Sequence, residues 1–223
     1  MPRSVVAVLF DFGNTLAAHE PLAATVGRAA AVLDGAAATG LDGAAYAAEV
    51  EAAAHAADEL RYPRDLDASV WRERWHVLYG CWDHRIPGLG AEVYRRMHDP
   101  AEWVPYPAVA TTLAALRRAG VRVGVVSNTG WDIRRVLRHH HLDVLVDEVL
   151  LSYEVGEVKP AVAIFRRACD ALGALPETTL MVGDDPVADA GAVRAGLRTL
   201  LLPGAPVGAD NGLGAVARMV ANG

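Results

Sequence analysis

VVAVLFDFGNTL, residues 5–16, decides the fold. Six apolar residues, Val5 to Phe10, run without polar alternation straight into Asp11. An uninterrupted run of this kind describes a strand buried on both faces, as in a parallel sheet. It is too short for the apolar stretch of a secretory signal and far too short to span a bilayer.

Outward from this strand the chain changes character. From about Ala17 to Pro100 it is strand-poor and rich in alanine, with Leu33, Val50 and Leu60 marking apolar faces. Breaks at Gly40, Tyr62-Pro63, Gly80 and Pro87-Gly88 divide it into about four helical segments, the pattern of a small bundle. After Pro105 and Pro107 helix and strand alternate. Helices are expected at Val109–Ala119, Trp131–His140, Ala161–Leu172 and Val187–Ala195. Strands are expected in VRVGVVS, at Glu148–Leu151, in TTLMVGD and in LRTLLLP. A Gly/Pro-rich loop, Pro203–Gly214, precedes a short last helix.

The reading is therefore α/β: a Rossmann-like, doubly wound parallel sheet, interrupted after its first strand by an inserted helical bundle. The core is expected to comprise residues 1–16 and 101–223, and the helical cap residues 17–100. At 223 residues and 52% apolar content the chain has ample material for such a core. A net charge of −6 without a basic run argues against a nucleic-acid surface. Cys81 and Cys169 have no metal or redox spacing and suit reduced thiols in a cytoplasmic protein. An Ala-rich helical insertion could also pack against a second copy as a homodimer.

In doubly wound sheets ligands bind beyond the carboxyl ends of the strands. Strand one ends in Asp11-Phe12-Gly13-Asn14-Thr15, and the next core strand in Ser127-Asn128. The loop after the third carries Lys159-Pro160, and the fourth ends in Gly183-Asp184-Asp185, with Asp189 beyond. These residues make chemical sense together. The Asp11 carboxylate can attack phosphorus, dividing a hard displacement into two easier ones. Asp184 and Asp185 offer hard oxygen ligands of the kind Mg²⁺ accepts, which would relieve repulsion between carboxylate and phosphate. Ser127 and nearby N–H groups can hold phosphoryl oxygens, and Lys159 can neutralise charge in the transition state. Pro160 suits the first position of the following helix. Asn14, Thr15 and Asn128 are further candidates for the phosphate, and Asp189 competes with Asp185 as the second acidic residue of the metal site.

LFDFGNTL, VVSNTG, the lysine of GEVKPAVAIF and MVGDDPVADAGAVRAG occur here in an order that resembles the haloacid dehalogenase-like hydrolase superfamily. The resemblance implies Asp11 as nucleophile, Ser127 and Lys159 as phosphate-binding groups, and Asp184 as a metal ligand. It also implies a metal contact from the backbone carbonyl of Gly13 and a cap that opens and closes. The implied activity is Mg²⁺-dependent hydrolysis of a small phosphorylated metabolite through an aspartyl phosphate.

The phosphatase branch usually places a second aspartate two residues after the nucleophile, where this chain has Gly13. That carboxyl would protonate the leaving oxygen, a contribution of about 10²–10⁴-fold. Either the substrate carries a good leaving group, or a cap histidine such as His19 or His84 donates the proton, or turnover is slow and the protein mainly binds. The metal-independent dehalogenase branch also lacks the second aspartate. Its members carry neutral groups where this chain has Asp184, and Asp184 and Asp185 beside Asp11 call for a cation.

Trp71, Trp75, Leu78 and Tyr79 have helical spacing and read as bundle core, whereas Trp82, His84 and Arg85 are the candidates for facing the substrate. Trp131 is either core or a lip of the site. His139–His141 read as a helix C-terminus rather than a metal site, because adjacent helical residues point apart.

Overall fold

A computed structural model describes residues 4–221. Its centre is a five-stranded parallel sheet of β1 (Ala7–Phe10), β4 (Arg122–Ser127), β5 (Glu148–Leu151), β6 (Thr179–Gly183) and β7 (Arg198–Leu201), ordered β5-β4-β1-β6-β7. β1 is central, pairing Phe10 with Val125 on one side and Val182 on the other.

Alternation across the sheet builds two apolar layers. Val8, Phe10, Val123, Val125, Leu180 and Val182 face one. Ala7, Leu9, Val126 and Met181 face the other. The first layer is covered by α6 (Val109–Arg118), α7 (Arg134–His139) and the last helix (Ala215–Ala221). The second is covered by the helices Val162–Ala171 and Ala192–Ala195. Helices on both faces explain why the strands are apolar throughout.

Residues 22–97 carry α1 (Leu22–Leu33), α2 (Gly35–Ala38), α3 (Gly43–Ala54), α4 (Ala68–Tyr79) and α5 (Leu89–Met97), which pack around an apolar cluster of their own. Asp42 and Asp67 cap α3 and α4 by accepting from Ala45 N and from Ser69 N and Val70 N. Close approach between segments falls at glycine: a Cβ on Gly90 would stand 2.5 Å from Gly80 N.

Two three-residue strands went unread in the sequence: β2 (Ala17–His19) and β3 (Trp103–Pro105) pair antiparallel, Ala17 with Pro105 and His19 with Trp103. β2 begins at the expected core–cap boundary at 16/17, and β3 begins two residues past the one at 100/101. The outer ends of the expected core, residues 1–3 and 222–223, lie outside the described residues. The helix expected at Val187–Ala195 is a 3₁₀ turn, Asp189–Gly191, followed by Ala192–Ala195, because residues 184–188 fold around Asp185 and Asp189. Pro160 precedes the helix start at Val162 rather than occupying its first turn, and follows Lys159 across a cis peptide bond. Among the described residues no helix is long and apolar enough to cross a membrane, and both cysteines are free thiols.

Candidate active site

The carboxyl ends of β1, β4 and β6 and the loop holding Lys159 meet at one cavity of about 490 Å³. Asp11 leaves β1 with its backbone N–H donating to Val182 O at 2.8 Å, so the strand ladder itself aims the residue. Lys159 Nζ donates to Asp11 Oδ1 at 2.5 Å and to Asp189 Oδ1 at 2.7 Å, all three residues being buried. Asp189 Oδ2 accepts the N–H groups of Asp184 and Asp185, each at 3.0 Å, which fixes the turn after β6. Gly183 makes that packing feasible, since a Cβ there would stand 2.1 Å from Asp189 Oδ2.

Carboxylate oxygens of Asp11, Asp184 and Asp189 lie within 4.8 Å of one another. Burial pushes the Asp11 carboxyl up to about 6 in spite of Lys159, with the charges of Asp189 and Asp184 adding to the rise. Burial works to lower the Lys159 pKa, but the two carboxylates more than offset it and hold that pKa above the ordinary value. Burial also raises Asp184. Three clustered carboxylates with one ammonium leave uncompensated negative charge, and hard oxygen donors at this spacing fit a divalent cation.

The other sequence candidates take distinct places. Ser127, at the end of β4, is buried and lines the cavity, with no side-chain hydrogen bond to a described residue. Asn128 also lines the cavity. Its amide donates to Lys159 O at 2.8 Å and accepts from Lys159 N at 2.7 Å, locking the lysine loop. Thr15 is fully buried away from the cavity lining, and its hydroxyl donates to Asp184 Oδ1 at 3.2 Å. Asn14 lines the cavity with a left-handed backbone, φ 55°. Gly13 lines it too, and the space its side chain would take is empty to 4 Å. Asp185 lines the rim while its Oδ1 accepts from Val187 N and Ala188 N at 2.7 and 2.9 Å, so that oxygen is committed to its own turn.

The helical segments contribute walls that sequence spacing assigned elsewhere. Trp71, Trp75 and Tyr79 line the cavity, whereas Trp82 is buried in the helical cluster with its indole N–H donating to Glu49 Oε2. His84 and Arg85 are not in the lining, and His19 lies outside it, its ring nitrogens facing Glu20 O and Arg96 O. His140 Nε2 meets Trp103 O at 2.7 Å, a structural contact. Trp131 is part of the wall.

Two titratable groups from the helical part were not anticipated. Asp65 lines the cavity from a 3₁₀ turn, Arg64–Leu66, tethered to the core by Ser152 Oγ donating to Asp65 O at 2.5 Å. Its carboxyl has no hydrogen-bond donor among the described residues, and burial raises its pKa. His98 accepts from Trp71 Nε1 at 2.9 Å, and its Nδ1 faces Tyr94 O at 2.8 Å, which fixes Nδ1 as the protonated nitrogen. Burial pushes its pKa down to about 4, so it stands neutral with both nitrogens engaged. The only advance signal for Asp65 was its place in the polar break at Tyr62-Pro63.

A family model for the haloacid dehalogenase-like hydrolases matches residues 5–196. The chain is 38% identical over 103 residues to a glyceraldehyde 3-phosphate phosphatase of Methanothermobacter thermautotrophicus, covering 44% of each chain. It is 29% identical over 165 residues to (S)-2-haloacid dehalogenase 4A of Burkholderia cepacia, covering 68% of this chain and 71% of the other. The chain spans about half the length of the phosphatases it matches. A solved dehalogenase structure superposes with a TM-score of 0.71 at 22% identity, covering 98% of both chains, a likeness of fold.

Proposed function

Because the chain belongs to the haloacid dehalogenase-like hydrolases, we propose that it is a metal-dependent phosphatase acting on a small phosphorylated compound. The observation that carries this reading is the cluster of Asp11, Asp184 and Asp189 held against a single ammonium, Lys159. Attack on carbon needs no cation, and a dehalogenase would gain nothing from three adjoining carboxylates. The phosphatase relative supports the same choice.

Asp11, the backbone carbonyl of Gly13 and Asp184 would hold Mg²⁺, with Asp189 completing the acidic group. The cation would supply charge neutralisation between carboxylate and phosphate. Asp11 attacks phosphorus, and the leaving oxygen departs as the aspartyl phosphate forms. Lys159 orients the nucleophile and offsets charge on the transferring group. Ser127, with a hydroxyl free to donate, binds a phosphoryl oxygen. Thr15 orients Asp184, and Asn128 holds Lys159 in place. Residues 17–100 act as the cap, closing the cavity with the walls contributed by α4 and α5, while residues 1–16 and 101–223 form the catalytic core.

Phosphate release from acetyl phosphate and para-nitrophenyl phosphate, with Mg²⁺ and with chelator, tests this reading. Metal-dependent release is expected, falling at least about 10³-fold in Asp11→Asn. Release by Asp11→Asn at the wild-type rate would sink it.

A further inference from the structure

The phosphatase reading leaves the cavity's wall unused. Four of the chain's five tryptophans, Trp71, Trp75, Trp103 and Trp131, line it. Each is half-buried; Trp75, Trp103 and Trp131 rest one side on the apolar clusters and turn another to the cavity. The rings form a continuous belt from the loop after β1 to the helical part. Phe12 meets Trp103 at 5.1 Å between centroids, Trp103 meets Trp131 at 6.0 Å, and Trp131 meets His98 at 5.0 Å. His98 meets Trp71 at 6.2 Å, Trp71 meets Trp75 at 5.6 Å, and Trp75 stacks on Tyr79 at 5.1 Å. A belt of this extent beside a reacting centre offers faces and edges to a flat partner.

A second observation is the charge inventory. Five carboxylates line the cavity, those of Asp11, Asp65, Asp184, Asp185 and Asp189. Among the described residues Lys159 is the one permanent cation in the lining, and two of those carboxylates already engage it. A substrate carboxylate would find no counter-ion, which disfavours 2-haloacids and carboxylated phosphate esters alike. Gly13 is the third observation: no carboxyl stands at that position to protonate a leaving oxygen, and the space is open.

Resting on the phosphatase reading, we propose that the substrate class is aryl phosphates, with the ester oxygen borne directly on a flat conjugated ring and no carboxylate attached. The belt binds the ring, and the ring makes an acid at residue 13 dispensable. Asp11 Oδ attacks phosphorus, the bond from phosphorus to the aryl oxygen breaks, and its electron pair leaves as a phenolate. A phenol has a pKa near 10, far below the value of about 15.7 for water, so this anion departs unprotonated and takes its proton from solvent. Water then attacks phosphorus in the aspartyl phosphate, returning Asp11 and releasing phosphate, with the water proton passing to the medium.

The test compares kcat/KM of the full chain with Mg²⁺ on phenyl phosphate, 2-naphthyl phosphate, acetyl phosphate, glycerol 2-phosphate and phosphoglycolate. Aryl esters are expected to exceed glycerol 2-phosphate and phosphoglycolate by about 10²-fold or more. Trp75→Leu and Trp131→Leu are each expected to lower the aryl-to-acetyl ratio roughly two- to tenfold. Tryptophan fluorescence titration with phenylphosphonate, which cannot be cleaved, is expected to give at least about tenfold tighter binding than methylphosphonate. That titration decides the matter should a tryptophan variant fail to fold. Turnover of acetyl phosphate without an aryl preference, or equal binding of the two phosphonates, overturns the substrate assignment alone. Glycerol 2-phosphate matching phenyl phosphate overturns it as well and turns attention to Asp65 as a proton donor. Silence on every substrate including acetyl phosphate overturns the phosphatase reading, and this inference with it.

Discussion

A side chain at residue 13 would project into open space, and the backbone there is not left-handed. Gly13→Asp is therefore expected to fold with little change in Tm. It is expected to raise kcat/KM for glycerol 2-phosphate by about 10²-fold, as an acid becomes available to the leaving oxygen. Phosphate-release assays and a thermal melt check both halves. His98 gives a second expectation, with a definite sign. Folded, its pKa is about 4 against 6.5 when unfolded. The unfolded chain therefore binds the extra proton as pH falls from 6.5 toward 4, and stability is lost across that window. The loss amounts to roughly 2 kcal/mol by pH 5. Denaturant melts at pH 7 and pH 5 should show it in the wild type and show it diminished in His98→Gln. Asp11, Ser127 and Asp184 stand out in the sequence because each sits at the end of an apolar strand, whereas Lys159 stands out only by its place between a glycine-containing loop and a proline. Sequence order left Asp185 and Asp189 undivided. Asp189 is buried because Gly183 carries no side chain, a contact between residues six apart that periodicity does not report.

Among the elements, the five strands of the central sheet and the longer helices follow directly from apolar runs and their breaks, since local pattern and burial agree. The β2–β3 ribbon does not, because three residues are too few to show alternation. Helix faces were misjudged for a related reason. α4 divides its apolar residues between the helical cluster, where Leu78 and Tyr79 are buried, and the cavity that Trp71 lines. Only the neighbouring β4 loop decides which face meets which. That meeting is close. A Cβ on Gly130 would stand 2.3 Å from Trp71 Cβ and 2.8 Å from Arg64 O. Gly130→Ala is expected to force α4 away from the loop after β4 and to cost about 1–3 kcal/mol of stability. A thermal melt measures the cost, and a red shift of tryptophan emission reports the wetting of the wall.

At the scale of the whole molecule, one side of the cavity is supplied by a sheet and one wall by helices that lie between its first two core strands in the chain. The two are joined through the ribbon that pairs Ala17–His19 with Trp103–Pro105. Antiparallel pairing puts the entry and exit of the insertion side by side, with partner Cα atoms about 5 Å apart. A segment whose ends already touch can be exchanged for another of different length without moving the strands it interrupts. Residues 20–102 are thus enclosed by one pairing of the chain with itself. Exchange of that segment in a single recombination event would replace the whole helical wall and leave Asp11 and Lys159 where they are, so that the lining of the cavity would change by a block rather than by drift at single positions.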